Sequence, residues 1–220
     1  MRVWIEAVFG ILFPVARPPR PWARLERPFC ERCAEPFARP VAASFECANC
    51  AKRNWSLGRL RAAYREQGSV REAILGFKYG RKFHLRPWLG RWLADGFREH
   101  YAAEQWDAFV PVPLHPERRR KRGFNQSAEI AGWLGKRAGI PLVEGLRRVR
   151  ATVPQARLTR AERLRNLRGS LVLAPGFDPR GKRLVICDDV FTTGATADAC
   201  AKVLLRAGAG EVVALAVARR

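Results

Sequence analysis

The fold class of this chain is decided by residues 184–196, which read Leu184-Val-Ile-Cys-Asp-Asp-Val-Phe-Thr-Thr-Gly-Ala-Thr196. The apolar beginning is typical of a buried parallel strand. Asp188 and Asp189 follow it, at the predicted carboxyl end where open α/β sheets bind ligands. The loop 192–196 then offers hydroxyl groups, backbone N–H groups and a helix N-terminus to an anion. Together these features predict a binding site for a sugar phosphate.

Two other interpretations compete with this one. The stretch is also compatible with a ligand-free strand, turn and capped helix, or with the Mg²⁺ site of a nucleotide hydrolase beside a P-loop. A near match to a P-loop occurs at residues 176–183, Gly-Phe-Asp-Pro-Arg-Gly-Lys-Arg. There Arg183 replaces the metal-binding Ser or Thr, Pro179 removes a backbone donor, and a strand rather than a helix follows. The sugar-phosphate interpretation is therefore preferred, and the ligand-free turn stays open.

The segments around this stretch alternate between strand and helix patterns. Strands are predicted at 108–112, 184–187 and 211–217, with an edge strand at 171–174, and helices at 126–138 and 195–207. Upstream, Ser69 and Glu72 form a capping-box pattern, and Pro87 suits the first turn of a longer helix. A strand, loop, helix and strand in succession make a right-handed βαβ unit. The sequence therefore predicts an α/β domain over residues 57–220.

Four of the six cysteines have the spacing Cys30-x2-Cys33-x13-Cys47-x2-Cys50. Two such pairs suit a structural Zn²⁺ held by four thiolates. Two disulfides are the alternative, but no signal peptide accompanies them. We therefore predict an N-terminal helix and Pro/Arg-rich connection at 1–27 and a zinc ribbon at 28–56. Cys187 and Cys200 are predicted to be buried small hydrophobic residues.

The chain is strongly basic. Its 220 residues include 41 Lys and Arg against 20 Asp and Glu, a net charge of +21. Such a charge favours polyanionic partners, although a solvated basic surface is the alternative. The apolar segment 3–15 contains Glu6 and is too short to span a bilayer. We therefore expect a cytoplasmic protein without an integral membrane span.

Further motifs accompany the acidic loop in a fixed order. They are Phe77-Lys78-Tyr-Gly80, Val110-Pro-Val-Pro-Leu-His115, Arg122-Gly-Phe-Asn-Gln126 and Arg148-x-Arg150-x-Thr152-x2-Gln155-x2-Leu158-x3-Glu162-Arg163-x2-Asn166. With the cysteine pairs, they make residues 28–220 resemble the ComF family of competence-associated proteins. The resemblance implies a type I phosphoribosyltransferase fold, a mostly parallel sheet flanked by helices, with a small N-terminal four-cysteine zinc ribbon. One departure is that Phe13-Pro14 is not followed by the extra cysteine pair that many relatives carry there.

The resemblance also implies roles for individual residues. Asp188, Asp189 and Arg163 are the expected catalytic residues, and the segment 147–166 is the expected loop that closes over the substrate. Phosphoribosyl pyrophosphate would be held by Asp188 and Asp189 at the ribose hydroxyls and by Thr192, Thr193, Gly194, Ala195 and Thr196 at the 5-phosphate. The pyrophosphate would be held by Pro113, Leu114, Arg119 and Arg122, with Mg²⁺ bound together with the substrate.

Two functions follow from these expectations. The first is a phosphoribosyltransferase associated with DNA uptake, in which an unidentified nitrogen nucleophile displaces pyrophosphate from the ribose and no protein nucleophile takes part. The alternative is a non-catalytic, zinc-containing accessory protein that uses the same fold to bind single-stranded DNA. The implied partners are phosphoribosyl pyrophosphate, single-stranded DNA and proteins of the competence machinery. Two carboxylates in the site repel DNA but suit ribose hydroxyls, which favours the first function.

Overall fold

A computed structural model describes residues 23–150 and 169–220 of the chain. Its centre is a four-stranded sheet in the order β1-β6-β5-β2, and every neighbouring pair in it is parallel. The strands are β1 (Leu60–Arg65), β2 (Ala108–Pro111), β5 (Arg183–Phe191) and β6 (Glu211–Arg219). The apolar runs of β2, β5 and β6 are explained by burial on both faces of the sheet.

Helices cover both faces of this sheet. The helices of the described residues are α1 (Ala48–Ala51), which lies among the cysteines, α2 (Gly68–Tyr79), α3 (Arg86–His100), the exposed α4 (Pro116–Arg122), α5 (Gln126–Ala138) and α6 (Ala195–Arg206), with a 3-10 turn at Phe83–Leu85. Apolar residues of α2, α3 and α5 share one core cluster, while those of α6 lie in the other. The α/β class and the parallel sheet flanked by helices are therefore confirmed.

A second, antiparallel pair of strands lies beside α6. It consists of β3 (Leu146–Arg148) and β4 (Leu171–Leu173). The predicted edge strand at 171–174 thus exists, but it does not belong to the parallel sheet. Leu146 and Leu171 are buried in the same core cluster as the apolar face of α6. This packing brings the basic end of β3 towards the carboxyl edge of the main sheet.

The central strand differs from its prediction in length. It continues past Cys187 to Phe191 because β6 keeps pairing with it as far as Arg219. On the other side, pairing with β2 ends at Cys187, where the Val112 N–H donates to the Cys187 carbonyl at 2.9 Å. The next residue is Pro113, which has no N–H to extend the ladder. Asp188 and Asp189 therefore lie within the strand, where its β2-side edge is open.

The helix boundaries show which local signals were reliable. α5 ends at Gly139, whose φ of 69° is the left-handed conformation expected of a glycine cap. The predicted capping box at Ser69 and Glu72 is wrong, because α2 begins at Gly68 after Gln67 and no side chain caps it. α4 was not predicted, since its arginine-rich sequence carries no apolar stripe. Cys187 and Cys200 are fully buried, as predicted. Along the described ranges, no helix has the length and apolar character that crossing a bilayer requires.

Candidate active site

A pocket of about 250 Å³ lies at the carboxyl edge of the parallel sheet. Its lining includes Lys78, Pro113, Leu114, Arg118, Arg122, Gln126, Arg148, Asp188, Asp189 and all five residues of the loop 192–196. Residues predicted separately for ribose, 5-phosphate and pyrophosphate are thus brought around one cavity. This edge is where open α/β sheets bind ligands.

Two predicted residues are not placed in the pocket lining. Arg119 is exposed, and its Nη1 forms an ion pair with Glu144 at 3.1 Å. Arg118, one residue earlier on α4, lines the pocket instead. The helical geometry of α4 explains the exchange, because neighbouring residues of a helix point about 100° apart. Arg163, like most of the expected closing loop, lies outside the described residues.

The two aspartates have different partners. The half-buried Asp188 accepts a hydrogen bond at Oδ1 from the Ser127 hydroxyl at 2.7 Å. Asp189 is buried, and its Oδ2 lies 2.7 Å from the Lys78 Nζ. Asp188 is thus the more accessible carboxylate, while Asp189 belongs to a buried ion pair. Sequence reasoning assigned no role to Ser127 or Lys78; both stand in or directly after motifs of the resemblance.

Electrostatics separate the two carboxylates further. Burial, followed by the charge of Asp189, raises the pKa of Asp188 to about 7, against the opposing influence of Lys78 and the Ser127 hydrogen bond. Burial alone would lower the pKa of Lys78, but the charge of Asp189 raises it, so the ammonium stays protonated. Asp188 is therefore more readily protonated than an exposed aspartate, while its Oδ1 accepts hydrogen bonds from hydroxyl groups, as it does from Ser127.

The loop 192–196 is shaped by Gly194. This residue precedes α6 and has a φ of 69°, in the left-handed region that favours glycine. A Cβ there would lie 2.9 Å from Trp55 Cη2 and 3.0 Å from Leu60 Cδ1. Glycine is thus required both by conformation and by space. The turn directs the N-terminus of α6, with the N–H groups of its first turn, to the pocket.

The Arg-Gly-Phe-Asn-Gln motif, residues 122–126, forms hydrogen bonds that hold another part of the pocket lining in place. Asn125 donates from Nδ2 to the Val112 carbonyl at 3.1 Å and accepts at Oδ1 from the Ser127 N–H at 3.2 Å. Gln126 accepts a hydrogen bond from Arg122. These contacts tie the turn at Pro113 and Leu114 to the start of α5. They also account for a polar motif at a buried position, since Asn125 and Gln126 both have hydrogen-bond partners.

The four cysteines form a second centre. Their Sγ atoms all lie within 4.8 Å of one another, and Cys30, Cys33 and Cys50 are buried. Burial raises the pKa of Cys33 to about 12. It acts in the same direction on Cys30, but backbone hydrogen bonds, including one of 3.3 Å from the Cys47 N–H, outweigh it and lower that pKa to about 7. Four convergent sulfurs fit a tetrahedral metal ion such as zinc.

The segment after the cysteines, residues 53–57, contacts the loop 192–196 and the helix α6 that follows it. Arg53 forms an ion pair with Asp198 of α6 at 2.9 Å and donates to the Thr193 carbonyl at 3.3 Å. Asp198 Oδ1 also accepts from the Ser56 and Leu57 N–H groups, at 2.8 and 3.1 Å. Both charged side chains are about nine-tenths buried. The cysteine module is therefore packed directly against the loop that shapes the pocket.

Comparison with known proteins gives independent evidence about the family of this chain. No protein-family model matches the chain. Competence protein F of Haemophilus influenzae is 29% identical over 199 residues, which cover 87% of this chain and 85% of that protein. The DNA utilization protein YhgH of Salmonella typhimurium is 32% identical over 190 residues, covering 83% of this chain and 80% of that protein.

A partial structural similarity relates 59% of this chain to the glutamine phosphoribosylpyrophosphate amidotransferase of B. subtilis, with 26% identity and a TM-score of 0.38. The chain spans about a quarter of that structure, 25% of its length. The full-length relatives are the stronger finding, because identity at this level extends over both the cysteine module and the α/β domain. By this similarity the chain belongs to the ComF family, the family of competence protein F and the YhgH proteins.

Proposed function

We propose that this protein binds phosphoribosyl pyrophosphate together with Mg²⁺ and transfers the phosphoribosyl group to a nitrogen nucleophile, in a process linked to DNA uptake. The observation that carries the proposal is the single pocket that combines Asp188, the loop 192–196 and basic residues of α4. The relatives named for competence and DNA utilization support the link to DNA uptake. Zinc is the metal proposed for the four cysteines.

The chemistry follows from these groups. The C1–O bond to pyrophosphate breaks as the C1–N bond forms, the pyrophosphate leaves with the electron pair, and the nucleophile loses its proton. Asp188 accepts hydrogen bonds from the ribose hydroxyls, and the N–H groups at the start of α6 bind the 5-phosphate. Arg122 and neighbouring arginines stabilise the negative charge of the leaving pyrophosphate, while Mg²⁺, when bound, neutralises phosphate oxygens.

Calorimetric titration with phosphoribosyl pyrophosphate and Mg²⁺ tests the proposal. Asp188→Asn keeps the shape of the side chain but removes its charge, and we expect affinity to fall about tenfold, the loss of one charge-assisted hydrogen bond. Asp178→Asn is the control, because Asp178 is exposed and precedes the other end of β5. Absence of binding by the wild-type protein, or equal binding by both variants, would reject the ligand assignment.

Transfer itself is tested separately by release of pyrophosphate in the presence of ammonia, the simplest nitrogen nucleophile. Release that depends on ammonia, and that falls in Asp188→Asn, is the expected result. Binding without any release, with ammonia and with larger amines, would retain the ligand site and reject the transferase activity.

Binding of single-stranded DNA is the second candidate function, and a separate cleft favours it. This cleft of about 590 Å³ lies between α3 and α5 and is lined by Trp88, Trp92 and Trp133 with Arg91 and Arg137. Arg137 lies over Trp133, with its Cζ 3.6 Å from the ring centroid. Aromatic rings and arginines are the groups that hold single strands without sequence preference. We expect affinity for an oligonucleotide to fall steeply with salt and to weaken in Arg91→Ala with Arg137→Ala; a flat salt response would reject this function.

A further inference from the structure

Arg148 is a buried arginine that forms no ion pair with any of the described residues. It lies at the end of β3 with 7% of its surface exposed. Its Nε and Nη2 are buried and make no hydrogen bond, and no ion pair involves it across residues 23–150 and 169–220. The other buried arginines differ, since Arg61 pairs with Glu31 and Arg219 pairs with Glu35.

Folding alone does not account for such a residue. A buried charge without a partner destabilises the folded state, and removing hydrogen-bond donors from water adds to that cost. Burial accordingly lowers the pKa of Arg148; the charge of Arg118 acts in the same direction, and Cys200 and Asp188 oppose it without reversing it. A guanidinium nevertheless remains protonated at physiological pH. The side chain is therefore available to bind an anion that none of the described residues supplies.

The position of Arg148 indicates where that anion binds. It lines the same pocket as Asp188 and Arg118, although it comes from a different element than either. Arg118 belongs to α4, which follows the turn at Pro113 and Leu114. The phosphate-binding loop 192–196 is a separate part of the lining. The pocket thus has two sets of anion-binding groups, one at the loop and one formed by arginines of β3 and α4.

The two unsatisfied atoms also define the shape of the ligand. Nε and Nη2 lie on the same edge of the guanidinium plane, and their hydrogens form a fork that matches two oxygens of one phosphate group. We propose that Arg148, together with Arg118, binds the pyrophosphate group of the ligand through this edge. The inference rests on the proposed function and gives a binding role to Arg148, which the resemblance placed only within the expected closing loop.

Three substitutions test the proposal. Arg148→Met has a similar length and no charge, Arg148→Lys keeps the charge but loses the fork, and Arg147→Met removes the same charge from the exposed neighbour on β3. The affinity of each for inorganic pyrophosphate with Mg²⁺ is measured by calorimetry, with ribose 5-phosphate as the second ligand. The melting temperature of each free protein is measured alongside.

We expect Arg148→Met to bind pyrophosphate about 10- to 100-fold more weakly and ribose 5-phosphate almost unchanged. Arg148→Lys is expected between Arg148→Met and wild type, and Arg147→Met at the wild-type value. The free Arg148→Met protein should melt at or above the wild-type temperature, because an uncompensated buried charge has been removed. A purely structural arginine would give the opposite melting shift.

The inference would be overturned by an equal loss of affinity in Arg147→Met, by unchanged pyrophosphate affinity in Arg148→Met, or by unfolding of Arg148→Met. A loss confined to ribose 5-phosphate would also overturn it, since the anion would then be the 5-phosphate. Failure of the proposed function is distinguishable. If wild type binds phosphoribosyl pyrophosphate and Arg148→Met binds it equally well, only this inference falls; if wild type does not bind it, the proposed function falls.

Discussion

The ion pair between Arg53 and Asp198 allows a sharp test of how the cysteine module supports the ligand loop. Arg53→Met keeps an apolar chain over the ring of Trp55, from which the guanidinium carbon is 3.8 Å away. It removes the charge opposite Asp198 and the hydrogen bond to the Thr193 carbonyl. The aspartate then stays buried with only the backbone N–H groups of Ser56 and Leu57 as donors.

The size of the effect follows from this geometry. Breaking a buried ion pair by removing one partner costs about 3–5 kcal/mol. Because two backbone donors still satisfy Asp198, we take the lower end and expect about 3 kcal/mol less stability. For a chain of this size, that corresponds to a melting temperature lower by about 6–12 °C. Urea unfolding and differential scanning calorimetry measure the two quantities independently.

Arg180→Met is the matched control, because Arg180 pairs with Asp178 on the exposed surface. Exposed ion pairs contribute little to stability, so Arg180→Met should have the same melting temperature as the wild type. The reasoning would be refuted if Arg53→Met were as stable as Arg180→Met. If the uncompensated carboxylate causes the loss, adding Asp198→Asn to Arg53→Met should restore part of the stability. A double variant as unstable as Arg53→Met alone would therefore also refute the reasoning.

Three further predictions concern the two centres. Lys78→Met should lower the free energy of unfolding by about 3–5 kcal/mol, because it leaves Asp189 buried without its counter-charge, and urea unfolding will measure this. The pKa of Asp188 is raised to about 7, so the folded state still binds a proton that the unfolded state releases near pH 4. The stability of the folded state should therefore fall as the pH rises from about 4 to 7. A pH series of melting curves checks this, and a melting temperature of Asp188→Asn that falls as steeply as that of the wild type would contradict it. Metal analysis of reduced protein should find about one zinc per chain, and Cys47→Ser should lose most of it, whereas full retention would reject the four-thiolate site.

The parts of the fold that could be predicted are those governed by local rules. Gly139 ended α5 as expected of a left-handed glycine, and the apolar run before Asp188 became a central strand. The missed parts depend on distant partners. Whether β5 stops at Cys187 or continues to Phe191 depends on β6 and on the early end of β2, neither of which is visible in the strand's own residues.

The same distinction applies to the pocket. The loop 192–196 and the aspartates were found because their chemistry is contiguous in sequence. Ser127, Lys78 and Arg118 were not assigned, because each acquires its role only when another element is packed against it. Arg119 was chosen over Arg118 because a run of arginines gives no indication of which member of the helix faces inward. Hydrophobic periodicity identifies the inward face of a helix only where apolar and polar residues alternate, and residues 118–122 are all basic.

The cysteine module and the ligand loop meet in a way that argues for one cooperative unit rather than two joined domains. Arg219, at the end of β6, donates from Nε to the Cys33 carbonyl at 3.1 Å and from Nη1 to the Phe191 carbonyl at 3.2 Å. A single buried side chain thus links a cysteine knuckle to the strand end from which the loop departs. Gly194 is enclosed by Trp55 from the same module. If the cysteine module unfolds, the loop loses the contacts that Arg219 makes before it and that Trp55 makes at Gly194. The shape of the ligand pocket therefore depends on the folded metal centre.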